Sequence, residues 1–409
     1  MSREVPQDVL MAKAGKGRLF TGNFVLVSSV WMIVFAGYYL LVATLPMYVV
    51  KHLGGQAASI GLVMGLPTIS TVLLLPFFGR QSDRRGRKLV LLFGLSGLVL
   101  SGPLHCLATT LPLLLALRVF FGVVWAAAIA ALVAFIADLS PVQRRGEAMG
   151  YVNVTSNIAL AIGPAIGIAI IKAYDFNTLF LSFTALAALA LAISLVTKET
   201  LEGQHKKVRT AARASTPRHL RTILFSPMIM LSITIGYGAL LSFLPIYALD
   251  QGVDNPGVFF TLLAAFLVLA RVSTGRLSDR FGRRAVILPG IGIVVASLLI
   301  LSTSASLTAI VAVAILFGVG FGSTHSALMA LAADYADVAS RGAAMSFLAA
   351  SIEMGIGLGS IALGLIVQFV GFPGIYLVAA LAALAGLVGF VLLEQGFKPA
   401  VDGGEAIPY

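Results

Sequence analysis

Four ionisable side chains sit where water is scarce. Glu353, Arg118, Arg271 and His325 each lie in a long apolar run that carries no other charged residue or histidine. A charge held in hydrocarbon costs several kcal/mol unless it is paired or hydrated, so each of the four is a functional candidate. Glu353 is the one acidic residue well inside any run, and a carboxyl there could take up and release a proton. It is the candidate for proton coupling; alternatively Arg271 or Arg118 simply neutralises it. Arg118 could anchor an anionic substrate group or the coupling carboxylate, or serve as a structural hub bonding backbone carbonyls. Arg271 stands four residues before Gly275, close enough to the end of its run to snorkel to the interface. His325 could titrate, touch substrate or merely pack.

Other chemistry has little support. Five scattered histidines and one cysteine, Cys106, give no metal-ligand spacing and no disulfide, so neither a metal nor a cofactor is expected. No nucleophile–base constellation is visible, which argues against an enzyme.

The elements that must position these groups are membrane helices. Of 409 residues, 59% are hydrophobic and 11% charged, against roughly 25% charged in soluble domains, and the mean hydropathy is +0.99. A bilayer-spanning helix needs about 20 largely apolar residues. Twelve runs supply them: 24–50, 57–79, 89–109, 112–137, 147–171 and 177–197, then 225–249, 255–275, 285–303, 308–333, 343–369 and 373–393. The first run is too long for a signal core and carries Trp31, Tyr38, Tyr39 and Pro46, so it is expected to be an uncleaved helix. Glu353 falls about eleven residues into its run, near the midplane, and Arg118 about 10 Å from the outer boundary. No strand-like alternation suggests a barrel.

The basic residues set the orientation. The even-numbered turns and both tails hold 24 Lys and Arg, the odd-numbered turns only Lys51 and Lys172. Positive residues stay cytoplasmic, so both termini are expected inside. The same distribution accounts for the net charge of +11 without nucleic acid, since the basic loops lack interleaved aromatic residues. Residues 198–224, with seven basic residues, read as a cytoplasmic linker between an N-terminal bundle (1–197) and a C-terminal bundle (225–409), each of six helices.

The halves repeat. Gly79-Arg80-Gln81-Ser82-Asp83-Arg84-Arg85-Gly86-Arg87-Lys88 recurs 196 residues later as Gly275-Arg276-Leu277-Ser278-Asp279-Arg280-Phe281-Gly282-Arg283-Arg284, identical at seven of ten positions. The same offset carries Gly122 to Gly318, Asp138 to Asp334 and Asn157 to Glu353; an offset of 199 carries Gly37-Tyr38 to Gly236-Tyr237. Internal repeats in a twelve-span chain mean two similar bundles with a site between them. In each loop the glycines permit a tight turn and close helix approach, while the arginines can reach a carboxylate on a neighbouring helix.

This loop resembles the signature of the major facilitator superfamily, Gly-x-Leu-Ala/Ser-Asp-Arg-x-Gly-Arg-Lys/Arg; the second copy matches fully and the first departs at Gln81. The resemblance covers essentially the whole chain and implies an all-α membrane fold of twelve helices in two pseudo-symmetric bundles. It implies that Asp83 docks the second helix against the opposite bundle in the outward-facing state, and that Arg87 pairs with Asp138. Asp279, Arg283 and Asp334 would form the matching set. Together with the loop glycines Gly79 and Gly275, these would act as a gating latch. Arg118 with Gly122 resembles the arginine motif of span 4. Gly163-Pro164-Ala165-Ile166-Gly167 resembles the span-5 motif of proton-coupled exporters, departing at Ala159 and Ile168. Tyr38, Tyr39 and Tyr237 fall on helices that line the family's substrate cavity, where aromatics suit amphipathic or cationic ligands.

The expectation is a secondary transporter that exports a small organic compound by alternating access in exchange for protons, with Arg118 as the one strong cation of its pocket. Proton-coupled import, or facilitated passage of sugars or organic anions, is the alternative; few Asn and Gln residues in the spans weaken the sugar case. A receptor on a transporter fold would call for a long tail, and only fifteen residues follow Glu394. A monomer in a bacterial inner membrane is expected.

Overall fold

The computed structural model describes residues 19–141, 144–200, 220–304, 306–336 and 341–393, and its regular elements are helices. In the first half these are α1 (Gly22–Val42), α2 (Leu45–Lys51), α3 (Ala57–Arg85), α4 (Arg87–Cys106), α5 (Leu111–Leu139), α6 (Arg145–Ala173) and α7 (Phe176–Val196). The second half holds α8 (Leu220–Asp250), α9 (Gly257–Phe281), α10 (Arg283–Thr303), α11 (Leu307–Tyr335) and α12 (Arg341–Leu393). The short α2 continues α1 to complete the first crossing. Helix α12 breaks at Gly371, whose φ of 69° suits glycine, and its two arms make the last two crossings. The twelve expected spans are therefore present.

Local chemistry sets the ends. Thr21, Asp175 and Ser306 accept a backbone N–H three residues on and cap α1, α7 and α11. The hydrogen bonds from Thr178 hold the exposed Asp175 carboxyl below the usual carboxylate range. Between α1 and α2 the Thr44 hydroxyl donates back to the Leu40 and Leu41 carbonyls, and Pro46 starts the new helix. Gly86 (φ 108°) and Gly282 (φ 86°) form the tight turns of the two repeated loops.

Within the first half α3 packs on α5, α4 on α5 and α7, and α1 on α6 and α7; within the second, α8 packs on α12, α9 on α11, and α10 on α11 and α12. The halves meet along α3 with the first arm of α12, and along α6 with α9. Small residues permit the first seam: a Cβ on Gly61 would lie 2.3 Å from the Ser360 carbonyl oxygen, and one on Gly65 2.5 Å from that of Gly357. Across the second seam Thr261 donates to the Ala161 carbonyl at 2.6 Å and Lys172 Nζ to that of Asp254 at 2.7 Å. These contacts lie toward the end remote from the repeated loops, where residues 40–49 and 236–248 are buried throughout.

The linker expected at 198–224 differs at its far end, because α8 already begins at Leu220; residues 201–219 and both tails fall outside the described residues. Its opening residues are fastened to the first half. Glu199 accepts the backbone N–H groups of Arg87 and Lys88 at 3.1 and 2.9 Å, and Thr200 donates to Asp138 at 3.2 Å.

Candidate substrate site

Helical spacing builds two aromatic ladders facing the centre. On α1, Trp31, Phe35, Tyr38 and Tyr39 recur at intervals of three and four. Tyr38 stacks on Trp125 of α5 at 4.7 Å, and Trp125 on Phe121 at 5.8 Å. Trp31 stacks on Phe35 and donates through Nε1 to Ser156 of α6 at 2.6 Å. In the second half Tyr237 of α8 stacks on Phe321 of α11 at 5.0 Å, Phe321 on Phe317, and His325 continues the column at 6.1 Å. The repeat offsets carry Tyr38, Phe121 and Trp125 onto Tyr237, Phe317 and Phe321. The four partners on α5 and α11 are absent from the sequence-level candidates; an aromatic pair at i, i+4 on each fourth span of a repeat is the signal that points to them.

Glu353 projects from α12 into a cleft of about 10 Å³ lined by Tyr38, Thr68, Thr71, Phe121 and Trp125. Its carboxyl makes no ion pair with Arg118 or Arg271, and among the described residues no hydrogen bond to it occurs. Neutralisation by a neighbouring arginine, open from sequence, is therefore not what this structure contains.

The two intramembrane arginines are placed differently from one another. Arg118 is 2% exposed; its Nε donates to the Val63 carbonyl of α3 at 3.0 Å and its guanidinium lies 4.6 Å from the Phe121 ring centre. That is the hub arrangement, with one terminal nitrogen, Nη1, left without a partner. Arg271 does not snorkel. It lines a second cavity of about 260 Å³ with Asn153 and Asn157 of α6 and His325 and Ser326 of α11. Position along α9 alone would let the head group reach the interface, whereas the face of α9 that Arg271 occupies directs it to the cavity.

The gating residues form two matching clusters. Arg87 Nε bonds Asp138 at 2.9 Å, and its Nη1 reaches Asp83 and Ser82. Arg283 Nε bonds Asp334 at 3.0 Å, and its Nη1 reaches Asp279 at 2.6 Å and Ser278 at 2.9 Å. Asp83 and Asp279 stay 65% and 71% exposed and bond within their own loops, so neither docks across the seam in this state. Gly79 and Gly275 have open space beside them, contrary to the close approach expected there; the turn glycines are Gly86 and Gly282. Gly163, just before Pro164, instead seats α6 on α1, where an added Cβ would meet Tyr39 at 2.9 Å.

Comparison with known proteins agrees with this architecture. The sequence profile of the Major Facilitator Superfamily matches residues 27–272 and 255–407. An uncharacterised MFS-type transporter of Methanocaldococcus jannaschii is 25% identical over 356 residues, 84% of this chain and 92% of that one. Multidrug resistance protein 2 of Bacillus subtilis is 30% identical over 180 residues, 44% of each. A bacterial homolog of the human lysosomal transporter Spinster, in an inward-facing and unoccupied conformation, superposes with a TM-score of 0.72 at 15% identity, covering 90% of this chain and 94% of that one.

Proposed function

The chain belongs to the Major Facilitator Superfamily, whose members are secondary transporters and not enzymes, and we propose that it exports a small organic compound in exchange for protons. It is a multi-pass membrane protein, and its substrate is a small molecule.

The observation that carries the reading is the accessible, unpaired carboxyl of Glu353 in a cleft walled by helices of the opposite half. A group so placed can exchange a proton for a ligand as the two halves rock about it. The resemblance to a multidrug resistance protein and the partial exporter motif around Gly163 and Pro164 favour export. On this reading the repeated loops are cytoplasmic, as their basic residues require. The state described above is then inward-open and sealed on the outer side by Gly61, Gly65, Gly357 and Ser360. Asp83, Arg87 and Asp138, with Asp279, Arg283 and Asp334, would latch the cytoplasmic side when it closes. The protein works as a monomer in a bacterial inner membrane with both termini in the cytoplasm. Its two bundles are joined by a cytoplasmic linker that opens at 198 and ends where α8 begins at Leu220.

Sealed vesicles containing a pH-sensitive dye test the coupling. Addition of lipophilic cations, organic acids and zwitterions in turn should give a proton flux with at least one of them. Solute movement down its own gradient with no proton flux would make the protein a facilitator.

A further inference from the structure

The larger cavity, about 260 Å³, has walls from both halves, α6 on one side and α9 with α11 on the other. It lies beside the second seam, on the side of the repeated loops. Asn157 stands about one helical turn before Ala161, and Val268 about two turns past Thr261, whose hydroxyl bonds the Ala161 carbonyl. The cavity shares no lining residue with the Glu353 cleft, so it is a site in its own right.

Two polar atoms on its wall lack partners. Arg271 and His325 are half-buried, and Arg271 Nε and His325 Nδ1 are fully buried without a hydrogen bond. Arg271 is in no ion pair among the described residues, and no Asp or Glu lines the cavity. A buried donor left unmade is costly, and a guanidinium with no counter-charge more so. Arg118 differs, since its Nε already has the Val63 carbonyl.

The lining defines what would satisfy these atoms. A planar carboxylate takes two N–H groups of a guanidinium fork, and an imidazole with its hydrogen on Nδ1 donates a third. One guanidinium with no second cation beside it in the cavity matches a single negative charge. From the opposite half Asn157 donates to the Asn153 carbonyl at 2.9 Å, and the exposed Asn153 offers its own amide. The remaining wall is apolar, and Val154, Val272 and Met329 are exposed there, ready to take an apolar body out of water. A cavity near the lower end of the range for ligand sites, about 300 Å³, suits a compact body.

We infer that this cavity is where an organic monocarboxylate with a compact apolar body docks from the cytoplasm. Arg271 and His325 hold its carboxylate, and Val154, Val272 and Met329 receive its body. The inference deepens the reading of the chain as a transporter of small organic compounds and rests on it; it uses no step at Glu353.

Binding without a gradient tests it. Calorimetry on the full chain in phosphatidylcholine nanodiscs, with empty nanodiscs subtracted, would use benzoate, 2-naphthoate and 4-phenylbenzoate. Each is compared with its carboxamide and with the corresponding arylmethylammonium. At the best size the carboxylate should bind about tenfold or more tighter than the carboxamide, and the ammonium weakest. Arg271→Gln should abolish the carboxylate preference, and His325→Ala should weaken carboxylate binding severalfold. Arg271→Lys, checked for monodispersity, should keep part of the preference and so exclude misfolding as the cause. No carboxylate bound better than its carboxamide, a tighter ammonium, or a preference retained in Arg271→Gln would overturn the inference. A carboxylate preference with no solute-dependent proton flux in vesicles would leave the inference standing and sink the exchange reading. Proton flux with lipophilic cations and no carboxylate preference would do the opposite.

Discussion

Gly65 lies so close to Gly357 that a Cβ added to it would stand 2.5 Å from the Gly357 carbonyl oxygen. The outer seal thus depends on missing side chains. Gly65→Val should prevent α3 and α12 from closing and shift the population toward a state open at that end. A cysteine placed at Ser360, fully buried in that seam against Gly61, in a Cys106→Ala background reports this. Labelling by a membrane-impermeant maleimide from the outer face should rise severalfold when Gly65→Val is added, and unchanged labelling would show that the seal lies elsewhere.

The two latch clusters share their bonds but not their burial. Side chains of Arg87 and Asp138 are 10% and 15% exposed, those of Arg283 and Asp334 27% and 48%. Breaking a largely buried pair leaves an uncompensated charge and costs about 3 kcal/mol, whereas an exposed pair is worth at most about 1 kcal/mol. Asp138→Ala should therefore lower the thermal midpoint distinctly more than Asp334→Ala in the same lipid. Equal shifts would contradict the ranking.

Glu199 makes the start of α4 depend on the start of the linker. Its carboxylate receives the N–H groups of Arg87 and Lys88, as a capping residue would. Glu199→Ala should destabilise the first half by about 1 kcal/mol, read as earlier hydrogen exchange at the first turn of α4 with the second-half loop unaffected.

Both tryptophans of the chain, Trp31 and Trp125, belong to the first aromatic ladder, but only Trp125 lines the Glu353 cleft. Ligand-induced change in tryptophan emission should survive Trp31→Phe and vanish in Trp125→Phe. The reverse result would place the ligand on the other side of Phe35.

Most of the fold was legible because hydropathy and repetition are properties of the chain itself. Twelve apolar runs became twelve crossings, and the 196-residue offset carried Arg87–Asp138 onto Arg283–Asp334 with the same atoms bonded. The site was legible only in part. Glu353 stood out as a lone acid, and Tyr38 lines the cleft beside it. Phe121, Trp125, Phe317 and Phe321 did not stand out, because an aromatic residue in an apolar helix looks the same whether it faces lipid, core or cavity. The arginines exchanged emphasis for a related reason. Position along a helix gives depth, but only packing gives direction, and packing turned Arg118 onto the Val63 carbonyl and Arg271 into the cavity.

The central claim is that Glu353 carries the proton. Reconstituted vesicles can separate solute exchange from proton-driven movement in one preparation. Glu353→Gln should still exchange labelled for unlabelled solute across a membrane with no pH gradient, because that half of the cycle needs no proton. The same variant should lose accumulation driven by a pH gradient, together with the solute-triggered dye signal. Driven accumulation that persists in Glu353→Gln would contradict the account and return Glu353 to a structural part.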